Sequence, residues 1–148
     1  MAKLKRFLKL SDLTEIRTGF TFREKIEEVE SGNAHVLQIK DIRNIATDTC
    51  SYTLFADALP QIDWQGKDNA IVSPESVLLP CRGEYLKAHY FVGHQDQSKA
   101  RPLIVSSQFL ILMPNQNVVP EYLCWYLNQP NVQYELRKES QGSKMPML

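Results

Sequence analysis

The chain has 148 residues, 43% of them hydrophobic and 23% charged, which fits one globular domain with a sizeable core and excludes wholesale disorder. No apolar run approaches the ~18 residues of a membrane span, and the basic N-terminus, M-A-K-L-K-R-F-L-K-L, lacks the apolar run and small-residue cleavage site of a signal peptide. Lysine plus arginine and aspartate plus glutamate each number 17, and a net charge of zero gives no support to strong nonspecific nucleic-acid binding.

Ser11 is placed to cap a short helix over 12–17, with acids early, Arg17 late and Gly19 as its stop. Phe20 and Phe22 then alternate with Thr21 and Arg23, as in a short strand or extended loop. Residues 24–30 read as a charged, exposed segment and Ser31-Gly32-Asn33 as a turn. A strand is expected over 34–40, broken by Asp41 acting as a turn or helix cap. Further β signals fall at 52–55 and at 76–80, the latter short, buried and ended by Pro80. Between them, 57–63 reads as irregular and 65–69 as a turn.

Arg82-Gly83-Glu84 reads as a turn into a strand over 85–92, with Leu86, Ala88, Tyr90 and Val92 on one face and Lys87, His89 and Phe91 on the other. After a polar loop over 93–101, β structure is expected at 102–105 and 108–113, the second too apolar for an edge strand.

Two short helices then meet at Asn128-Gln129-Pro130. Pro120 suits a first helical position and Glu121 the positive helix start. Tyr122, Trp125 and Tyr126 share one face, with Leu123 and Leu127 beside them, and this aromatic face is expected to anchor the core. Asn131 is placed to cap the second helix, Val132 and Leu136 to form its apolar stripe, and Gly142 to end it. The whole predicts an α+β domain, 1–148, with a mostly antiparallel or mixed sheet and short helices at the N- and C-terminal ends.

No catalytic constellation stands out: there is no phosphate-loop motif, G-x-G-x-x-G, G-x-S-x-G or H-E-x-x-H. His35, His89, His94 and Cys81 match no zinc template, so neither a metal nor a cofactor is expected. Cys81 beside Arg82 reads as a buried thiol at a strand end or as a nucleophile of lowered pKa. Cys50, Cys81 and Cys124 are odd in number with no C-x-x-C pair, which points to free thiols in the cytoplasm.

Charge is unevenly spread: seven cations against three acids in 1–25, three against nine in 26–80, and seven against five in 81–148. Basic ends flanking an acidic middle give either one basic face or a solvated mixed surface. Polar and basic residues also collect at predicted strand-to-loop junctions, where recognition tends to live. These are Arg23, Lys40-Asp41, Arg43, Arg82, Lys87, Ser106-Ser107-Gln108 and Gln141-Gly142-Ser143-Lys144.

In order, L-S-D-L-T-E-I-R-T-G-F-T-F-R at 10–23, H-V-L-Q-I-K-D-I at 35–42, V-L-L-P-C-R-G at 77–83, V-S-S-Q-F at 105–109, V-P-E-Y-L-C-W-Y-L-N at 119–128 and Q-G-S at 141–143 span nearly the whole chain. Together they resemble one target-recognition domain of the specificity (S) subunit of a type I restriction–modification system. The resemblance implies a noncatalytic DNA-recognition module that directs methyltransferase (M) and restriction (R) subunits. A full specificity subunit has two such domains and two long spacer helices; this chain stops about where the first spacer would begin, as a fragment or a solitary module.

The expected function is therefore recognition of specific double-stranded DNA. The alternative is a protein-interaction module that retains the fold without DNA binding, its exposed aromatics serving a partner surface; under either reading a homo-oligomer is open. Under the first reading Arg82 is the leading base-contact candidate, and Gln108 and Gln141 are candidates to pair with adenine. Arg23, Lys40, Arg43, Lys87 and Lys144 are the phosphate candidates.

Overall fold

Strand β9 (Phe109–Pro114) reads F-L-I-L-M-P and is apolar on both faces, which only a central strand tolerates. In this computed structural model, which describes residues 14–46, 52–81 and 86–141 (backbone alone at 43–46 and 139–141), β9 lies between two antiparallel neighbours. These are β1 (Thr14–Thr18) and β6 (Ser76–Pro80). Beyond β6 come β7 (His89–Gly93), antiparallel, and β3 (Thr53–Phe55), parallel to β7, giving a five-stranded sheet in the order β1-β9-β6-β7-β3.

A second sheet has four strands in the order β4-β2-β8-β5: β4 (Gln61–Ile62), β2 (Ala34–Leu37), β8 (Leu103–Val105) and β5 (Ile71–Val72). Its centre is the parallel pair β2–β8. Period-two alternation sorts the β9 side chains between two cores. Phe109, Ile111 and Met113 face the second sheet with Leu78, Phe91, Leu103 and Val105, whereas Leu110 and Leu112 face the C-terminal helices with Val77, Leu79 and Ala88. A smaller cluster on the outer face of the second sheet packs Val36, Ile62 and Ile104 under Phe22 and Trp64. The α+β class is as expected.

The helix expected over 12–17 is instead β1, with residues 1–13 outside the described set. Thr14, Ile16 and Thr18 are β-branched at alternate positions, and pairing from Thr14↔Pro114 to Thr18↔Leu110 overrides the local cap signals. The strand expected over 34–40 ends at Leu37, and α1 (Ile39–Ala46) begins at once. Asp41 fixes this switch: its Oδ2 accepts from Gln38 N at 2.9 Å, the backward-reaching half of a capping box.

The helices α2 (Pro120–Leu127) and α3 (Pro130–Gln141) form as a pair, with Pro120 in the first turn as expected. The second starts at Pro130, so Asn131 lies inside it rather than at its cap. Gly142 lies outside the described residues.

The aromatic face of α2 does not anchor the core. Tyr122, Trp125 and Tyr126 are 47%, 57% and 47% exposed, while Leu123, Cys124 and Leu127 are buried against the sheet. Close approach explains the choice: Cys124 Sγ donates to Ala88 O at 3.3 Å, a separation that bulkier rings on this face would prevent.

Candidate nucleic-acid interface

Strand directions decide which junctions meet. β1 ends at Thr18 opposite Leu110, β6 ends at Pro80 opposite Phe109, and β7 starts at His89 opposite Leu78. One end of the five-stranded sheet therefore gathers the exit from β1, the exit from β6, the approach to β7 and the turn between β8 and β9.

That turn, Ser106-Ser107-Gln108, carries the chain from one sheet to the other. Ser106 N donates to Leu37 O at 3.1 Å, Phe109 N to Ser106 O at 3.2 Å, and Cys81 N to Gln108 O at 2.9 Å. Gly19 lets the exit from β1 press against it: a Cβ there would sit 2.0 Å from Ser106 O. Phe20 N donates to Val105 O at 2.7 Å. The start of α1 joins the same edge, because Gln108 Oε1 accepts from Ile39 N at 3.3 Å.

Of the expected site residues, Gln108 sits at the centre of this edge and is exposed. Lys40 is beside it in the first turn of α1, with its ammonium 2.6 Å from Glu28 and 3.0 Å from Asp41. The bonds to Glu28 first and Asp41 second hold its pKa above the ordinary lysine value. Arg43 follows on α1, with its backbone alone described.

Arg23 is exposed and makes no ion pair among the described residues. It lines a cleft of about 540 Å³ with Phe20, Phe22, Lys25 and Trp64, on the outer face of the four-stranded sheet. Phe20 meets Phe22 and Trp64 edge-on, at centroid distances of 5.0 and 4.7 Å.

Lys87 lies in the β6–β7 connection, two residues before β7, and its Nζ donates to Asn128 O at 3.3 Å. Arg82, the leading base-contact candidate, lies outside the described residues; Cys81 before it is bonded to Gln108. Gln141 closes α3 with its backbone alone described, and Lys144 lies outside the described residues. Lys40 and Gln108, 68 positions apart, are thus brought together, with Lys87 on the flank of the same end.

The residues that order this end were not singled out from sequence. Asn128, expected only as part of a joint, is 9% exposed, and Gln133 is 2% exposed; both bond the backbone of 86–88. Arg17 donates to Asn69 O and, at 2.8 Å, to Ile71 O, tying β1 to the other sheet. A buried polar residue inside a helix between apolar neighbours, as Gln133 is between Val132 and Leu136, was the available signal.

Among the described residues, the thiols Cys81 and Cys124 offer no reactive site. Cys81 is 1% exposed and its Sγ donates to Gln108 O at 3.3 Å. Burial pushes the Cys124 thiol up to about 12. Among the described residues, no group of three or more His, Cys, Asp or Glu side chains is placed to hold a metal.

The same architecture occurs in the crystal structure of the HsdS subunit from Thermoanaerobacter tengcongensis. The TM-score is 0.60 at 15% identity, over 88% of this chain and 28% of that one. A chain in a structure of a type I R-M system, described for its complex assembly and conformational transition, matches with a TM-score of 0.59 at 14% identity, over 85% of this chain and 28% of that one. No protein-family model and no curated protein matches. The chain has the fold of one portion of an HsdS subunit, spanning about 28% of the length of the solved chains it matches.

Proposed function

We propose that this chain is a noncatalytic recognition module of a type I restriction–modification specificity subunit and that it reads double-stranded DNA in the cytoplasm. The observation that carries the reading is the fold shared with HsdS over 88% of the chain. It is supported by the gathering of Lys40, Gln108 and the flanks of the Arg82 connection at one sheet end.

Cationic side chains would contact phosphates and set the register, while a few side chains reach base edges in the major groove. Arg23, Arg43, Lys87 and Lys144 are the phosphate candidates, and Lys40 would join them by exchanging Glu28 for a phosphate oxygen. Arg82 and Gln108 are the base-contact candidates, a choice supported by the bond between Cys81 N and Gln108 O at this sheet end, and Gln141 remains a candidate at the end of α3. Methyltransferase and restriction subunits would supply the chemistry.

Selection from randomised duplex DNA, at low and then higher salt, tests this. An enriched motif is expected, with affinity falling at a log–log slope on the order of −4 to −5 for about five phosphate contacts. Binding with neither a motif nor a salt dependence would end the proposal. Arg82→Ala should relax a single base position.

A second reading, a protein-interaction module without DNA binding, draws on the exposed Tyr122, Trp125, Tyr126 and Tyr134 of the helix pair. Absence of a DNA motif together with partner binding lost on Trp125→Ser would favour it.

A further inference from the structure

Gln108 is a candidate to pair with adenine, which requires its carboxamide to accept from N6 and donate to N7 at once. The structure commits the acceptor elsewhere. Ile39 N lies 3.3 Å from the Gln108 carboxamide, and a main-chain N–H can meet only an acceptor, so the oxygen and not the nitrogen must face it. Ser106 Oγ, 3.2 Å away, gives its proton to the same oxygen while accepting from Gln108 N at 3.4 Å. An amide oxygen has two lone pairs, and both are then engaged.

The nitrogen is left with two N–H donors on an exposed residue, and it meets no acceptor among the described residues. Its position is fixed as well as its polarity, because Gln108 O accepts from Cys81 N at 2.9 Å and the turn is bonded to both sheets. Guanine presents two adjacent acceptors, O6 and N7, in the major groove, whereas adenine sets a donor beside its acceptor. From this geometry we infer that Gln108 is a specificity-determining residue that offers donors only and selects guanine over adenine at one position. The inference rests on the proposed DNA reading and deepens it.

The test is motif selection with the full chain, its Gln108→Ala variant and its Gln108→Glu variant. The wild type should require guanine at one position, and Gln108→Ala should lose that preference by tenfold or so with the rest of the motif kept. Gln108→Glu keeps one oxygen for Ile39 N and puts an acceptor where the nitrogen stood, so cytosine, with its N4 donor, should replace guanine there. Adenine at the position that Gln108→Ala relaxes would overturn the inference. So would uniform weakening with an unchanged motif, which marks a phosphate contact. A wild type that selects no motif at all removes the DNA reading itself. Should the variants fold poorly, the wild-type chain still decides: the Gln108 side-chain amide protons should shift in NMR on titration with the selected duplex, and not with its guanine-to-adenine counterpart.

Discussion

Asn128 holds both backbone groups of Ala88: its Oδ1 accepts from Ala88 N at 2.7 Å and its Nδ2 donates to Ala88 O at 3.0 Å. A side chain from the end of α2 thus takes the place of a neighbouring strand just before β7 begins to pair. Gln133 continues the arrangement, donating from Nε2 to Leu86 O at 3.0 Å and to Leu127 O at 2.7 Å. The helix pair therefore fixes the second flank of the β6–β7 connection, the one that carries Lys87.

Asn128→Asp keeps an acceptor for Ala88 N but turns a second oxygen toward Ala88 O, leaving that buried carbonyl with only the weak Cys124 thiol as a donor. The expected loss is roughly 1–3 kcal/mol, read as a lower urea midpoint with an unchanged slope. An unaltered midpoint would mean that the clamp adds nothing to stability.

The buried and exposed faces of α2 should respond differently to truncation. Leu127 is 2% exposed, and Leu127→Ala should cost roughly 2–5 kcal/mol through lost burial and a cavity. Trp125 is 57% exposed, and Trp125→Ser should stay within about 0.5 kcal/mol of the parent. Thermal melts of the two variants check the orientation of the helix; a reversed order would restore the aromatic face to the core.

Gly19 matters through space rather than through its dihedrals. In Gly19→Ala the new methyl would sit 2.0 Å from Ser106 O and 2.6 Å from Val105 O, both backbone atoms that cannot swing away. The exit from β1 must then lift off the Ser106–Gln108 turn, at a cost of roughly 1–3 kcal/mol. Loss of amide-exchange protection at Phe20, whose N–H bonds Val105 O at 2.7 Å, would locate the damage. Full protection at Phe20 would show that the close approach is dispensable.

What the sequence made legible was local and strongly patterned. The strand at 76–80 ends at its proline as expected, β9 is central because no edge would tolerate its two apolar faces, and Pro120 starts α2. What escaped depends on partners distant in the chain. Residues 14–17 lie between helix-cap signals at Ser11 and Gly19, and only pairing with β9 makes them a strand. β4 and β5 have two residues each, too short for a period to show. The division into two sheets rests on the parallel pair β2–β8 and its 65-residue crossover, which leaves no local trace. Among the site residues, nothing near Lys40 in sequence foretold its pairing with Glu28, and nothing near Gln108 foretold its bond to Ile39. Periodicity gave two helical stripes on α2 and no means to rank them; close packing on Ala88 did so.

Stability should fall as the solution is made mildly acidic. His89 is fully buried on β7, its Nδ1 donating to Lys87 O at 3.3 Å, and burial lowers its pKa from 6.5 to about 4 despite that bond. His35 is lowered in the same direction, chiefly by burial, against the raising effect of its bond to Leu59 O. Between about pH 6.5 and 4 the unfolded chain takes up the His89 proton and the folded chain does not. Its stabilising contribution is therefore complete above the unfolded value, declines as pH drops through this window, and is lost below the folded value. At full extent it is on the order of 3 kcal/mol. The carboxylates of Asp57 and Asp96 are held below their ordinary range, by Gln95 N and by the Ser98 side chain respectively, so their own losses begin at lower pH. Urea midpoints measured at pH 7.5, 6.5, 5.5 and 4.5 should be level across the first two and decline across the last two. A level midpoint down to pH 4.5 would mean that His89 is as easily protonated in the folded chain as in the unfolded one.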